Sequence, residues 1–123
     1  MKPFSYMRAL TVDTAVAEAS GRNRLLAGGI DLLGELKEGI ADADTIVSVS
    51  RIPGLDRVER TAGGWTIGAN VTIAALAAHP ALGQALPGLV EAAGQVASPQ
   101  IRNVSTVAGN LLQHSRCWYY RHR

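Results

Sequence analysis

Apolar and polar positions change period several times along the chain. Phe4-Ser5-Tyr6 alternates with the two-residue period of a short strand. Thr11 then stands as an N-cap before Val12, Ala15, Val16 and Ala19, which recur three and four apart, with Asp13 in the first turn and Gly21 past the end. Arg24 to Ala27 reads as a second short strand running into Gly28-Gly29. From Asp31 a helical face follows at Leu32, Leu33, Leu36 and Ile40, with Gly39 near its C-terminus, and Thr45 to Val49 is a β-branched strand. Strand, glycine turn, helix and strand make a βαβ unit, so at least part of the sheet is expected to be parallel. After Pro53-Gly54 the pattern changes: Leu55 to Thr61 and Trp65 to Ala69 flank Ala62-Gly63-Gly64 like an antiparallel hairpin. Thr72 caps a helix through Ile73, Leu76 and Ala77 that stops at His79-Pro80, because proline disfavours helical backbone at the residue before it. Pro87 opens another helix along Leu89, Val90, Ala93 and Val96. Ser98 to Leu112 mixes small polar residues with spaced aliphatics, which predicts a buried loop shaped to hold a ligand.

Composition narrows the class. At 123 residues, 47% hydrophobic and 18% charged, the chain suits one folded domain and not a disordered one. Its single Cys excludes an intramolecular disulfide, and the start carries no apolar run of the signal-peptide kind, so a cytoplasmic setting is expected. The most apolar stretch, Ile67 to Ala78, is interrupted by Asn70 and Thr72 and falls short of the ~20 residues that span a bilayer, so no membrane segment is expected. Charge is uneven: residues 1–91 hold eight basic and ten acidic side chains, whereas 92–123 hold four Arg and no acid. The C-terminal quarter is expected to face something anionic or something missing. Trp118, Tyr119 and Tyr120 beside Arg121, His122 and Arg123 also make an unusual terminus, which suggests a chain cut from a longer one.

Three segments hold candidate chemistry. Gly28-Gly29 lies between a strand and a helix, where unpaired N–H groups and the positive end of the helix dipole favour an anion; the bland reading is a tight turn with Asp31 as helix cap. Thr106-Val107-Ala108-Gly109-Asn110 is a second set of small residues around a glycine, with Arg102 upstream as a counter-charge or as an anchor for backbone carbonyls. Two such loops invite one extended ligand. His114-Ser115-Arg116-Cys117 has no zinc spacing, and one short basic, aromatic tail argues against nucleic acid. Glu35 follows Gly29 and Gly34 where a P-loop needs Lys, and no Gly-x-Gly-x-x-Gly occurs.

Ala27-Gly28-Gly29-Ile30-Asp31-Leu32-Leu33, Ile67-Gly68-Ala69-Asn70-Val71-Thr72 and Ile101 to Leu111, in this order, resemble the flavin-binding (medium) subunit of the molybdenum hydroxylases, the xanthine dehydrogenase and carbon monoxide dehydrogenase family. The resemblance implies an α+β fold, the first lobe of a two-lobed FAD-binding domain of the vanillyl-alcohol oxidase (PCMH) type. Residues 1–54 would form a βαβ-type lobe and residues 55–123 the start of a second portion. It implies that Ala27, Gly28, Gly29, Ile30 and Asp31, together with Thr106, Val107, Ala108, Gly109 and Asn110, hold the FAD pyrophosphate through backbone amides and hydroxyls. Gly68 and Ala69 would lie along the cofactor, and Arg102 and Asn103 would brace the second loop. Ile30 replaces a polar residue common in the family, which leaves only its N–H to donate.

The tail resembles the branch whose flavin subunit carries an extra [4Fe-4S] cluster, with Cys117 as one ligand and the other three expected only in a full-length protein. The implied function is electron transfer from iron–sulfur clusters through FAD to an acceptor. Implied partners are a large molybdenum-cofactor subunit and a small [2Fe-2S] subunit, so export with a partner would move the assembly to the periplasm. The alternative is a non-catalytic truncated remnant or assembly module of such a complex.

Overall fold

Three strands, β1 (Ser5–Arg8), β2 (Arg24–Leu26) and β3 (Thr45–Ser48), form a parallel sheet in the order β1-β3-β2 in the computed structural model, which describes residues 1–121. His122 and Arg123, counted above in the basic tail, lie outside the described residues. The β-branched β3 takes the centre, and its period of two sends consecutive side chains to opposite faces. Ile46 packs with Leu36 and Ala43, beneath α2 (Leu32–Glu38). Val47 packs with Ala9, Ala15 and Ile52, beneath α1 (Val12–Glu18). Both are fully buried, each contributing roughly 1.5–3 kcal/mol over an exposed position. The helices that return the chain between parallel strands therefore cover both faces of the sheet. Thr11 caps α1 by accepting from the Thr14 N–H at 3.1 Å, and Gly39 ends α2 with φ +73°.

The hairpin is shorter than expected. β4 (Val58–Thr61) and β5 (Gly64–Ile67) pair antiparallel around Ala62-Gly63 alone, with Gly64 pairing Thr61 at φ +139°. Beyond it, α3 (Ile73–Ala77) is capped by the Thr72 hydroxyl. The helix does stop before Pro80, but the chain restarts at once: Pro80 supplies the first residue of α4 (Pro80–Ala85), and His79 Nδ1 accepts from Leu82 N–H at 3.2 Å. α5 (Pro87–Gly94) follows, ending before Val96. Val71, Ile73, Leu76, Leu82 and Ala93 form the core here, with Trp65, Ile67 and Val107 packed against it.

The loop expected over 98–112 is instead two short helices, α6 (Pro99–Val104) and α7 (Val107–Leu111). Ser98 and Thr106 cap them, and Pro99 again takes the first helical position. The cap residues were visible as small polar residues; their helical role was missed because each helix spans barely one turn. A last turn, α8 (Trp118–Arg121), ends the described residues. No helix among them is long and apolar enough to cross a membrane.

Candidate functional site

The two glycine-bearing segments, 77 residues apart from Gly28 to Ser105, touch. Gly28 follows β2, and a Cβ built on it would sit 1.9 Å from the Val104 carbonyl oxygen and 3.3 Å from Ser105 Cα. Only a residue without a side chain lets these backbones approach so closely. Gly29 turns the chain at φ +79° into α2. A cavity of about 910 Å³ opens beside this contact, in the upper range of ligand pockets. Ala27, Gly28, Gly29, Ile30 and Asp31 line one side; Ala69, Asn70, Ser105, Thr106, Ala108, Gly109 and Asn110 line the other.

The two sides differ in what they offer. The N–H groups of Gly28, Gly29, Ile30 and Asp31 have no acceptor among the described residues. Four free donors in one turn before a helix suit a phosphate. In the second segment the donors are engaged: Val107 N–H bonds Val71 O, Ala108 N–H bonds Ala69 O, and Gly109 and Asn110 N–H bond Thr106 Oγ1 and O. That side offers the cavity the Thr106 hydroxyl hydrogen, the Ser105 hydroxyl and the Asn110 side-chain amide, with the backbone amides of Val107 to Asn110 occupied and that of Thr106 without an acceptor among the described residues.

Four of the expected site residues do not line this cavity. Val107 faces the helical core. Gly68 is a packing glycine: its N–H bonds Arg57 O at 2.8 Å, and a Cβ would lie 2.2 Å from Leu55 O. Arg102 Nη1 donates to Val96 O at 2.7 Å and Ala97 O at 3.3 Å, anchoring a turn in which Ala97 has φ +42°. Asn103 is exposed and lines a smaller cleft of about 210 Å³ that shares Ala27, Gly28, Asn70 and Thr106 with the large cavity.

Asp31 does not cap α2. Its backbone is helical and its carboxylate points instead to the C-terminal segment, where it accepts from Arg121 Nη2 at 2.7 Å and from His114 N–H at 3.0 Å, with Arg116 Nε at 3.8 Å. The buried Glu35 pairs with His114 Nδ1 at 2.8 Å and lies 3.8 Å from Arg121, which is also 3.8 Å from Glu38. Two of the four arginines of the C-terminal quarter, Arg116 and Arg121, are thus answered inside the chain, by Asp31 and the acidic side chains of α2, while Arg102 holds backbone carbonyls and Arg123 lies outside the described residues. Cys117 is exposed, and no group of three or more candidate metal ligands occurs among the described residues.

Asn70, Ser105, His114 and Arg116 line the cavity as well; Asn70 and Ser105 fall in motifs named above without a site role, and His114 and Arg116 fall in the third candidate segment, which was not placed at the flavin site. Asn70 had a signal: an amide interrupting an apolar run needs a partner, and its Nδ2 donates to Val49 O at 2.7 Å. For the others, nothing in the sequence signals that they meet this cavity, because their placement depends on how distant segments pack.

Residues 2–117 match the family described as the FAD binding domain in molybdopterin dehydrogenase. The chain is 40% identical over 123 residues to the aldehyde oxidoreductase FAD-binding subunit PaoB of Escherichia coli, covering 98% of this chain and 38% of that protein. It is 33% identical over 111 residues to the carbon monoxide dehydrogenase medium chain of Hydrogenophaga pseudoflava, covering 88% and 39%. Carbon monoxide dehydrogenase from the same organism, as a solved structure, superposes with TM-score 0.85 at 33% identity over 89% of this chain and 39% of that one. Quinoline 2-oxidoreductase from Pseudomonas putida 86 superposes with TM-score 0.83 at 26% identity, also over 89% and 39%. The chain spans under two-fifths of the length of these relatives.

Proposed function

Because the chain belongs to the FAD-binding domain family of the molybdopterin dehydrogenases, we propose that it supplies the pyrophosphate-binding part of a flavin site in a molybdenum hydroxylase complex. The observation that carries this reading is the contact at Gly28, which sets four free backbone N–H groups against the Thr106 hydroxyl across one cavity. The 910 Å³ cavity and its donor set fit a dinucleotide: dipoles on one side suit the phosphates, and Ala69, Ala108 and Ile30 leave apolar walls for flat rings. FAD, when bound, supplies the one- and two-electron chemistry. The chain's residues do the holding: the amides of Gly28 to Asp31 take phosphate oxygens, Thr106 and Ser105 donate from the opposite side, and Arg102 keeps the second segment in place through the Val96 and Ala97 carbonyls. No acid, base or nucleophile is assigned.

In the assembled enzyme this part would pass electrons from iron–sulfur clusters to an acceptor, beside a large molybdenum-cofactor subunit and a small [2Fe-2S] subunit, in the cytoplasm. A four-thiolate cluster does not fit this chain by itself, because Cys117 is its sole cysteine. Cys117 takes at most one ligand position in a cluster completed from elsewhere, and no step is routed through it. The exposed Leu111, Leu112 and Tyr119 favour a second reading, a module whose present role is assembly through partner contacts.

Equilibrium titration of the full chain with FAD, followed by flavin fluorescence, separates the two. Saturable binding that ADP competes for supports the pyrophosphate site. Absence of saturable binding overturns it and leaves the assembly reading.

A further inference from the structure

Arg121 is the most enclosed charged residue of the C-terminal segment, its side chain only 9% exposed. Its guanidinium reaches two sets of oxygens at once. One is the carboxylates of α2: Asp31 at 2.7 Å, with Glu35 and Glu38 each at 3.8 Å. The other is its own segment, where Nε donates to Ser115 O at 2.9 Å and Nη2 lies 3.4 Å from His114 O. Asp31 is one of the four residues whose N–H has no acceptor among the described residues, and both it and Glu35 line that cavity. The cradle read above as a phosphate site thus carries two carboxylates at its edge. Left alone they would repel the dianion that the amides attract.

We propose that Arg121 is the positioning residue that makes this cradle competent for a diphosphate, by neutralising Asp31 and Glu35 from behind the loop and drawing their carboxylates toward the C-terminal segment. The inference rests on the flavin-site reading and assigns a role to a residue outside the cavity lining. Arg116 does not substitute for it: at 3.8 Å from Asp31 and 54% exposed, its charge is spent largely on solvent. His114 satisfies Asp31 through its backbone N–H and pairs with Glu35 through Nδ1, so it aids the geometry on both carboxylates. Arg121 is therefore the buried fixed cation facing Asp31, Glu35 and Glu38 together, and a bidentate-capable guanidinium is the group best suited to hold several carboxylates.

The test is FAD affinity of the full chain and three variants, measured by fluorescence titration at low and at high salt, with circular dichroism melts to report folding. Arg121→Gln is expected to weaken FAD binding about tenfold at low salt, the effect of one uncompensated charge near a dianion in a partly buried site. The loss should shrink at about 0.5 M salt, where the screening length falls to a few ångströms. Asp31→Asn in the Arg121→Gln background should restore affinity, and Asp31→Asn alone should tighten binding, because Arg121 then stands without its nearest anion. Unchanged affinity in Arg121→Gln overturns the proposal. So does a loss that Asp31→Asn fails to restore, which would mean that Arg121 only pins the segment in place. If Arg121→Gln does not fold, Asp31→Asn alone decides: weaker FAD binding refutes charge neutralisation, and tighter binding supports it. A wild-type chain that binds no FAD removes the flavin-site reading and this proposal with it, a result distinct from any variant-specific one.

Discussion

Gly28→Ala is the sharpest perturbation available, because the structure sets its size. The added Cβ would begin 1.9 Å from the Val104 carbonyl oxygen, and real Cβ contacts essentially never fall below 3.0 Å, so the two backbones must separate by about 1.1 Å. Neither side can give cheaply: Gly28 is tied to β2, and Ser105 is fixed by its N–H to Ile101 O at 2.8 Å and its carbonyl to Ile73 N–H at 2.9 Å. Overpacking against backbone costs roughly 1–3 kcal/mol, occasionally more. For a domain of this length each kcal/mol lowers Tm by about 3–5 °C, so a fall of about 3–15 °C is expected in a thermal melt. The same displacement pulls the free amides away from Thr106, and FAD affinity should drop in step. Gly34→Ala is the internal control, since nothing lies within 4 Å of a Cβ there and the site is inside α2. It should raise stability by roughly 0.5–1 kcal/mol through helix propensity, leaving the cavity alone. A Gly28→Ala protein that melts and binds FAD like wild type would refute the reasoning, because the loops would then not be in contact as described.

Three further outcomes follow from named contacts. Thr106→Ala and Thr72→Ala each remove an N-cap bond, of 3.1 Å in both cases, and each should cost about 1 kcal/mol in chemical denaturation; only Thr106→Ala should also weaken FAD binding, since Thr106 alone lines the large cavity. Asn70→Ala deletes the donor to Val49 O and leaves that carbonyl with the Ile52 N–H at 3.2 Å alone, so a loss of about 0.5–1.5 kcal/mol is expected by urea unfolding, and an unchanged midpoint would show that the remaining bond or water replaces the amide. The Lys2 ammonium, 2.5 Å from Asp42, holds that carboxyl below the usual carboxylate range. Its contribution is therefore present above the unfolded pKa near 4 and is lost as pH falls through the lower folded value, so Asp42→Asn should flatten that part of the acid unfolding curve, and an unaltered curve would show that the pair is inert.

The parallel unit was legible because its signals are local and strong. Thr11, Gly39 and the β-branched run at Thr45 each act within a few residues, and the alternation at Ile46 and Val47 places a core on both sides of β3. The helices after Thr72 were only half legible for the opposite reason. α4, α6 and α7 are five or six residues each, too short for periodicity to register, and they are specified by a cap and, in two of them, a first-turn proline. Reading His79-Pro80 as a start as well as a stop, and Ser98-Pro99 as a start, would have found two of them.

At the site, sequence pointed to the two glycine segments but not to what each glycine does. A glycine that lets a phosphate approach and one that lets another backbone approach look alike in sequence. Gly28 and Gly68 turn out to serve the second purpose, and the contact at Gly28 also brings Thr106 to the same cavity as the free amides. The acid–base arithmetic was similarly correct in sum and blind in direction. Four arginines without a local acid implied an anion or a missing partner, and for two of them, Arg116 and Arg121, the anion is Asp31 and the neighbouring α2 carboxylates of the same chain. The balance this leaves is narrow: Asp31, Glu35 and Glu38 against Arg121 and a solvated Arg116 leave the cradle with no surplus of positive side-chain charge. Attraction for a diphosphate must then come from backbone dipoles, so removing one compensating cation should matter more here than in a lysine-rich site, where neighbours would make up the loss.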